Sequence, residues 1–179
     1  MEERAISSEY VYRGQVVNLR LDTVQLPSGR TTRREIVEHR PVVAIVAVDE
    51  KENVLLVRQY RKAAGQELLE IPAGGVDEGE DLEAAVRREL REETGYSAEK
   101  LERLTGIFSS PGFCNEYMHI FLATGIRPGA QAPAEDETIE VVPTPLAEVP
   151  SLISKEQICD AKSVVGLLTL FWRLGPPGK

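Results

Sequence analysis

The sequence predicts an α+β fold. Three observations carry that expectation. Short segments of β-type residues are separated by Pro and Gly turns, a continuous apolar run of strand length lies at Pro41–Val48, and two segments carry apolar residues at helical spacing, from Leu82 and from Val164.

In chain order, residues 1–38 read as extended. Tyr10, Val11 and Tyr12, then Val16 to Val24, are β-type, and Leu19, Leu21 and Thr23 alternate with Arg20, Asp22 and Val24. Pro27, Ser28 and Gly29 signal a turn, and Thr31 to Val37 returns as a strand. Three short strands bury too little surface alone, so they must lean on the main domain or on another subunit. Pro41–Val48 reads as a central strand buried on both faces. Asp49 to Asn53 is a polar turn, and Val54 to Val57 pairs back as a hairpin and runs out through Arg61. Lys62 to Gln66 is a loop. Leu68 to Ile71 then leads to Pro72, Ala73, Gly74 and Gly75, a segment that can turn backbone carbonyls toward a ligand.

Beyond the first helix, Leu104 to Phe108 is a strand, Ser109 to Phe113 a loop, and Glu116 to Thr124 a strand. Arg127 to Ala134 is a surface loop, followed by the acidic Glu135, Asp136 and Glu137 and a last strand from Ile139 to Val142. Leu146 to Ser154 is a short helix broken by Pro150. Asp160 caps a final helix, Ala161 to Leu174, with Val164, Leu167, Leu168 and Phe171 on its inner face, and residues 175–179 form a loose tail. The organisation expected is an N-terminal β-sheet region over 1–38 and a main domain over 39–179.

Composition narrows the function classes. A net charge of −8 and a pI near 5.0 argue against nonspecific nucleic-acid binding. Cys114 and Cys159 are the only cysteines and form no CxxC, so neither a disulfide framework nor a zinc site is expected. The N-terminus has no apolar run behind it, and no apolar run is long enough to span a bilayer, so a soluble cytoplasmic protein is expected.

The stretch with most chemical content is Gly74 to Tyr96. Glu89, Glu92 and Glu93 stand at i, i+3 and i+4, so a helix places them on one face, while Leu82, Ala85, Val86 and Leu90 make an apolar stripe on the other side. Asp81 can cap the start, and Gly95 suits the left-handed position past the end. The three carboxylates are expected on one exposed turn, where like charges cost roughly 0.2–0.5 kcal/mol per pair, so such a face is either solvated or supplied with cations. Hard oxygen ligands suit Mg²⁺ or Mn²⁺ rather than zinc.

This stretch resembles the Nudix box: a Gly, five residues, a Glu, seven residues, then Arg-Glu-apolar-x-Glu-Glu-x-Gly-apolar. Gly74, Glu80, Arg88, Glu89, Leu90, Glu92, Glu93 and Gly95 match, and Tyr96 fills the last apolar position, where the family more often has an aliphatic residue. Three further matches resemble the ADP-ribose pyrophosphatase branch: REIVEHR before the first central strand, LLEIPAG before the box, and Pro111 sixteen residues past Gly95. The resemblance covers nearly the whole chain. It implies an α/β/α sandwich with a mixed sheet, preceded by a small antiparallel sheet that pairs across a homodimer. It also implies hydrolysis of the pyrophosphate of ADP-ribose to AMP and ribose 5-phosphate, with two or more Mg²⁺ or Mn²⁺ ions.

Residue by residue, the resemblance assigns metal ligands to Glu89, Glu92, Glu93 and the Ala73 carbonyl. Gly74, Glu80, Arg88 and Gly95 become structural supports, with Glu80 and Arg88 paired to brace the loop on the helix. The general base falls on a loop carboxylate after the sheet, at Glu137 or Glu135. Arg61 and Glu116, and less directly Arg34 and Pro111, fall at substrate positions, and Tyr10 or Tyr12 is the candidate for stacking on adenine. His119 and Cys114 lie in no matched motif, and they and His39 read as structural. Two alternatives remain open: a pyrophosphatase for another nucleoside diphosphate derivative such as a nucleotide sugar, NADH or FAD, or a non-hydrolysing ADP-ribose sensor.

Overall fold

A computed structural model describes residues 2–132 and 138–175. The chain divides into two compact units, one of Met1–Pro41 with Ile107–Tyr117, the other of Val42–Gly106 with Met118–Lys179.

The first unit is built on a three-stranded antiparallel sheet, β1 (Arg4–Arg13), β2 (Val17–Gln25) and β3 (Thr31–His39), in that order. The strand β1 begins six residues before the Tyr10 start read from the sequence, because bulges between Ala5 and Ser7 and between Tyr10 and Tyr12 break the alternation that marks a strand. The turn at Pro27–Gly29 closes with Leu26 N–H on Arg30 O at 2.8 Å, and Gly29 takes a φ of 84°. Only Asp22 and Val24 of β2 are buried, and Asp22 is held by Arg20 at 2.9 Å. The segment 109–116 docks on the end of β3. Val37 donates to Phe113 O at 2.7 Å, Asn115 N–H reaches Val37 O at 3.1 Å, and the Asn115 side chain accepts from His39 N–H at 2.9 Å.

The second unit holds two sheets. One is antiparallel, β10 (Ile139–Pro145), β5 (Asn53–Arg61) and β6 (Gln66–Glu70). The other is mixed, in the order β7 (Ala73–Gly75), β4 (Val42–Ala47), β9 (Tyr117–Pro128), β8 (Tyr96–Phe108), with β4 antiparallel to β7 and parallel to β9. All six residues of β4 are buried. Their side chains alternate between two helices. Val43, Ile45 and Ala47 face Ala85, Val86 and Leu90 of α1 (Leu82–Thr94). Val46, with Ile120 of β9, meets Gly166 of α3 (Ala161–Leu174), where a Cβ would stand 3.1 Å from Val46 Cγ2 and 3.2 Å from Ile120 Cγ2. Helix, sheet, helix is therefore the layering of this unit. A 3₁₀ turn, Leu146–Glu148, leads into α2 (Val149–Ser154), with Pro150 in its first turn where the missing N–H costs nothing. No helix among the described residues is long and apolar enough to cross a membrane.

Three sequence expectations are corrected. β4 and β5 do not pair as a hairpin. They share one isolated bridge, Val48 with Val54, because both edges of β4 are already taken by β7 and β9, and β5 joins the other sheet. The buried residues of α3 are Lys162, Ser163, Gly166, Leu167 and Leu170 rather than Val164, Leu167, Leu168 and Phe171, and Leu168 is 50% exposed. Small residues, not the largest apolar ones, let the helix backbone approach the sheet. Finally, the acidic face of α1 is not an exposed one, since Glu89 and Glu93 are buried.

Candidate active site

The site is assembled where β6 runs through Ile71 and Pro72 into β7, beside α1. Pro72 O accepts the Ile45 N–H at 2.9 Å, which ties the turn to the buried central strand. Gly74 stands so close to α1 that a Cβ there would lie 2.1 Å from the Glu89 carboxylate carbon. Ala73 N–H donates to Glu93 Oε2 at 3.0 Å. Glu89 and Glu93 thus lie against the β7 backbone, one turn of helix apart.

The helix is fixed at both ends. Asp81 Oδ1 accepts from the N–H groups of Glu83 and Ala84, both at 3.0 Å. At the other end Gly95 takes a φ of 77° and donates to Arg91 O. Gln131 Nε2 donates to Glu93 O at 2.6 Å and Ala132 N–H to Glu92 O at 3.2 Å, so the open carbonyls of the last turn are satisfied from outside the helix. Nothing in the sequence near Gln131 marks it for this; it is found only once the chain returns to the helix end.

Arg88 is the hub of the charges. Its Nε and Nη2 form a fork on Glu80 at 3.0 and 2.9 Å, Nη2 also donates to Gly75 O at 2.9 Å, and Nη1 reaches Glu89 Oε1 at 2.6 Å and Glu92 Oε2 at 3.2 Å. The hydrogen bonds with Glu80, followed by those with Glu89, push the Arg88 pKa well above the ordinary arginine value against the opposing effect of burial. One guanidinium therefore serves Glu80, Glu89 and Glu92, with Glu93 beside them. Negative charge is in excess, and much of it is held out of water.

Among the described residues no three acidic, imidazole or thiol groups already converge at ligand spacing; Arg88 spans the carboxylates in this arrangement. The donor set nevertheless fits a hard divalent cation. Glu89, Glu92, Glu93 and the Ala73 carbonyl could offer it oxygen donors only, and a backbone without a side chain at Gly74 leaves room for the Glu89 carboxylate.

Arg61, at the end of β5, directs Nη2 and Nε to Glu70 Oε2 at 2.6 and 3.0 Å. Burial alone would lower its pKa, but the Glu70 hydrogen bonds and the charges of Glu70, Glu93 and Asp160 outweigh it and leave the value raised. In the other unit, Arg34 and Pro111 line a concavity of about 470 Å³ with Ile36, Phe108 and Phe113, and Arg34 is engaged by Glu3 at 2.7 and 3.1 Å. Glu116 lies 3.2 Å from His39 Nδ1. The face of Tyr10 carries the Arg13 guanidinium 3.8 Å from its centroid. Burial, then the charge of Arg103, lowers the His119 pKa. Glu135 and Glu137 lie outside the described residues.

A three-layer domain thus packs an acidic helix on a glycine-lined turn, and its oxygen donors suit a hard divalent cation. Comparison with known proteins gives the family. The NUDIX domain family matches residues 38–164, and the nucleoside diphosphate sugar hydrolase N-terminal domain family matches residues 3–37. The methanol dehydrogenase activator of Bacillus methanolicus is 39% identical over 168 residues, 93% of this chain and 91% of that one. The ADP-ribose pyrophosphatase of Bacillus subtilis is 37% identical over 169 residues, again 93% and 91%. A solved structure described as an ADP compounds hydrolase superposes with a TM-score of 0.88 at 24% identity, covering 97% of this chain and 95% of that one, which establishes the fold. The chain belongs to the Nudix hydrolase family.

Proposed function

We propose that the protein hydrolyses the pyrophosphate bond of ADP-ribose, giving AMP and ribose 5-phosphate. The observation that carries this reading is the cluster of Glu89, Glu92 and Glu93 against Ala73 and Gly74, with one guanidinium among them. A relative named ADP-ribose pyrophosphatase, aligned over nearly the whole chain, supports the choice of substrate.

Glu89, Glu92, Glu93 and the Ala73 carbonyl would hold two or more Mg²⁺ or Mn²⁺ ions. Such ions neutralise a diphosphate and lower the pKa of bound water. The chain's own residues do the rest. Glu80 and Arg88 hold the loop on the helix, so that Ala73 and Glu93 keep their spacing. Gly74 and Gly95 admit the close approaches on either side of Glu89 and Glu93. Arg61 offers a fixed guanidinium to a phosphate. Arg34, Pro111 and Glu116 are assigned to the substrate by the family resemblance alone, and Glu137, or else Glu135, takes the proton from the attacking water.

Hydrolysis of ADP-ribose is expected only with Mg²⁺ or Mn²⁺ present, with AMP and ribose 5-phosphate as the two products by ion-exchange chromatography. A panel of ADP-ribose, nucleotide sugars, NADH and FAD decides the substrate. The family matched by residues 3–37 is described by nucleoside diphosphate sugars, which favours a nucleotide sugar as the second reading. A higher kcat/KM for any of them than for ADP-ribose would transfer the assignment.

We also place residues 1–38 in a homodimer interface and the protein in the cytoplasm. Every residue of β1 is exposed, and Ile6, Val11, Tyr12 and Val16 are each more than half exposed, an apolar surface that a second copy would cover. Cys114 and Cys159 are free thiols, as suits a reducing compartment. Sedimentation velocity at micromolar protein is expected to give a dimer, and Val11→Asp with Tyr12→Asp a monomer. A wild-type monomer would end the dimer proposal.

A further inference from the structure

At the start of α3, Lys162 and Asp160 extend the Arg61–Glu70 pair into a second charged cluster, and Lys162 has no part in the site as described so far. Glu70 and Lys162 are 2% and 9% exposed, and buried charges persist only when paired. Glu70 Oε2 accepts two hydrogen bonds from Arg61 and forms an ion pair with Lys162 Nζ at 3.0 Å. Lys162 Nζ also donates to Asp160 Oδ1 at 2.8 Å, the oxygen that caps α3 through the Ser163 N–H. One residue past Glu70, the Ile71 N–H donates to Ser163 Oγ at 2.8 Å. The first turn of α3 thus grips the strand end that runs directly into Ala73 and Gly74.

Charge balance decides what Lys162 does there. Glu70 and Asp160 face Arg61 and Lys162, two against two. Without Lys162, Arg61 would be left as the cation of this cluster for Glu70 and Asp160, and it feels the charge of Glu93 as well. The pull of Glu93 and Asp160 would then compete with Glu70 for its guanidinium. With Lys162 present, Glu70 locks one edge of the Arg61 fork while the Arg61 side chain stays 36% exposed. A guanidinium whose orientation is set in advance binds a phosphate with less entropy to lose.

We propose that Lys162 is a positioning residue for substrate, acting through Glu70 to hold the Arg61 guanidinium as a preset anchor for the diphosphate. This rests on Arg61 contacting the diphosphate, as read under the proposed function. A lysine on the last helix is thereby assigned to specificity although it touches no ligand.

The test is a double-mutant cycle on the full-length protein. Binding of ADP-ribose is measured by calorimetry in EDTA, where no turnover occurs, for wild type, Arg61→Ala, Lys162→Met, Lys162→Arg and the Arg61→Ala/Lys162→Met pair. Lys162→Met is expected to weaken binding roughly tenfold, the lower end of what an outer partner is worth. The double variant should bind no more weakly than Arg61→Ala alone, and Lys162→Arg should keep most of the affinity. In parallel, the Arg61 Nε–H signal in ¹⁵N-arginine spectra should be sharp in wild type and Lys162→Arg and lost to exchange in Lys162→Met. Additive losses in the pair, or wild-type affinity with an unchanged Arg61 signal in Lys162→Met, overturn the proposal. If Lys162→Met does not fold, Lys162→Gln keeps a donor while removing the charge. If wild type binds no ADP-ribose, the substrate reading fails, and the Arg61 signal still decides the role of Lys162.

Discussion

Glu93→Gln is expected to lower kcat by roughly 10²–10³-fold, about 3–4 kcal/mol of transition-state stabilisation, while leaving the fold intact. The two halves of that result have separate causes. The fold survives because a Gln carbonyl can accept the Ala73 N–H that Glu93 Oε2 now takes at 3.0 Å. Activity falls because the negative charge is gone from a position where it would hold a cation, and Glu93 is only 4% exposed, so water screens it poorly. Stability supplies an independent check. Without divalent ions the variant should melt no lower than wild type, since one of several crowded carboxylates has been neutralised. With Mn²⁺ the wild-type melting temperature should rise, because a ligand at 100 times its Kd adds about 2.7 kcal/mol, and the variant should rise much less. Full turnover in the variant, by steady-state kinetics with Mg²⁺, would remove Glu93 from the mechanism.

Much of the box was legible because its information is one-dimensional. A helix fixes which residues share a face, so Glu89, Glu92 and Glu93 could be grouped, and the caps at Asp81 and Gly95 could be placed from residue type and position alone. What lies across the fold was not legible. The spacing of Glu89 and Glu93 says nothing of β7 closing over them, and so they read as an exposed face when they are buried. Polar residues at a helix start read as a cap, which Asp160 is, but Lys162 two positions on is committed to Glu70, 92 positions away in the chain. The hairpin expected of β4 and β5 failed for a related reason. Adjacent apolar runs usually pair, but here Asp49 closes a turn on Lys51 and Asn53, and the two strands part into different sheets. The long strand β8 was cut to its last residues because Ser97, Glu99 and Lys100 are polar and exposed, which carries no β signal.

Gly74→Ala should cost about as much activity as losing the Glu89 carboxylate, although it changes no charge. The added Cβ would stand 2.1 Å from Glu89 Cδ and Oε1, far inside van der Waals contact, so one side has to retreat by more than an ångström. The backbone is the less free to move. Gly74 pairs with Val43, the second residue of the buried strand β4, and Val43 is 0% exposed. Glu89 must therefore swing away, and its Oε1 is held by Arg88 Nη1 at 2.6 Å, the same guanidinium that forks onto Glu80 and caps Gly75 O. The displaced atoms are the ones proposed to hold the cation, and a misplacement of about 1 Å in a reacting constellation costs roughly 10²-fold. Overpacking should lower stability by only about 1–3 kcal/mol, so the variant is expected to fold and to be nearly inactive. Steady-state kinetics with a thermal melt separates the two effects. Because the alanine acts through Glu89, combining Gly74→Ala with Glu89→Gln should lose little more turnover than either change alone. Losses that multiply would mean that the glycine serves the loop backbone rather than the carboxylate it faces.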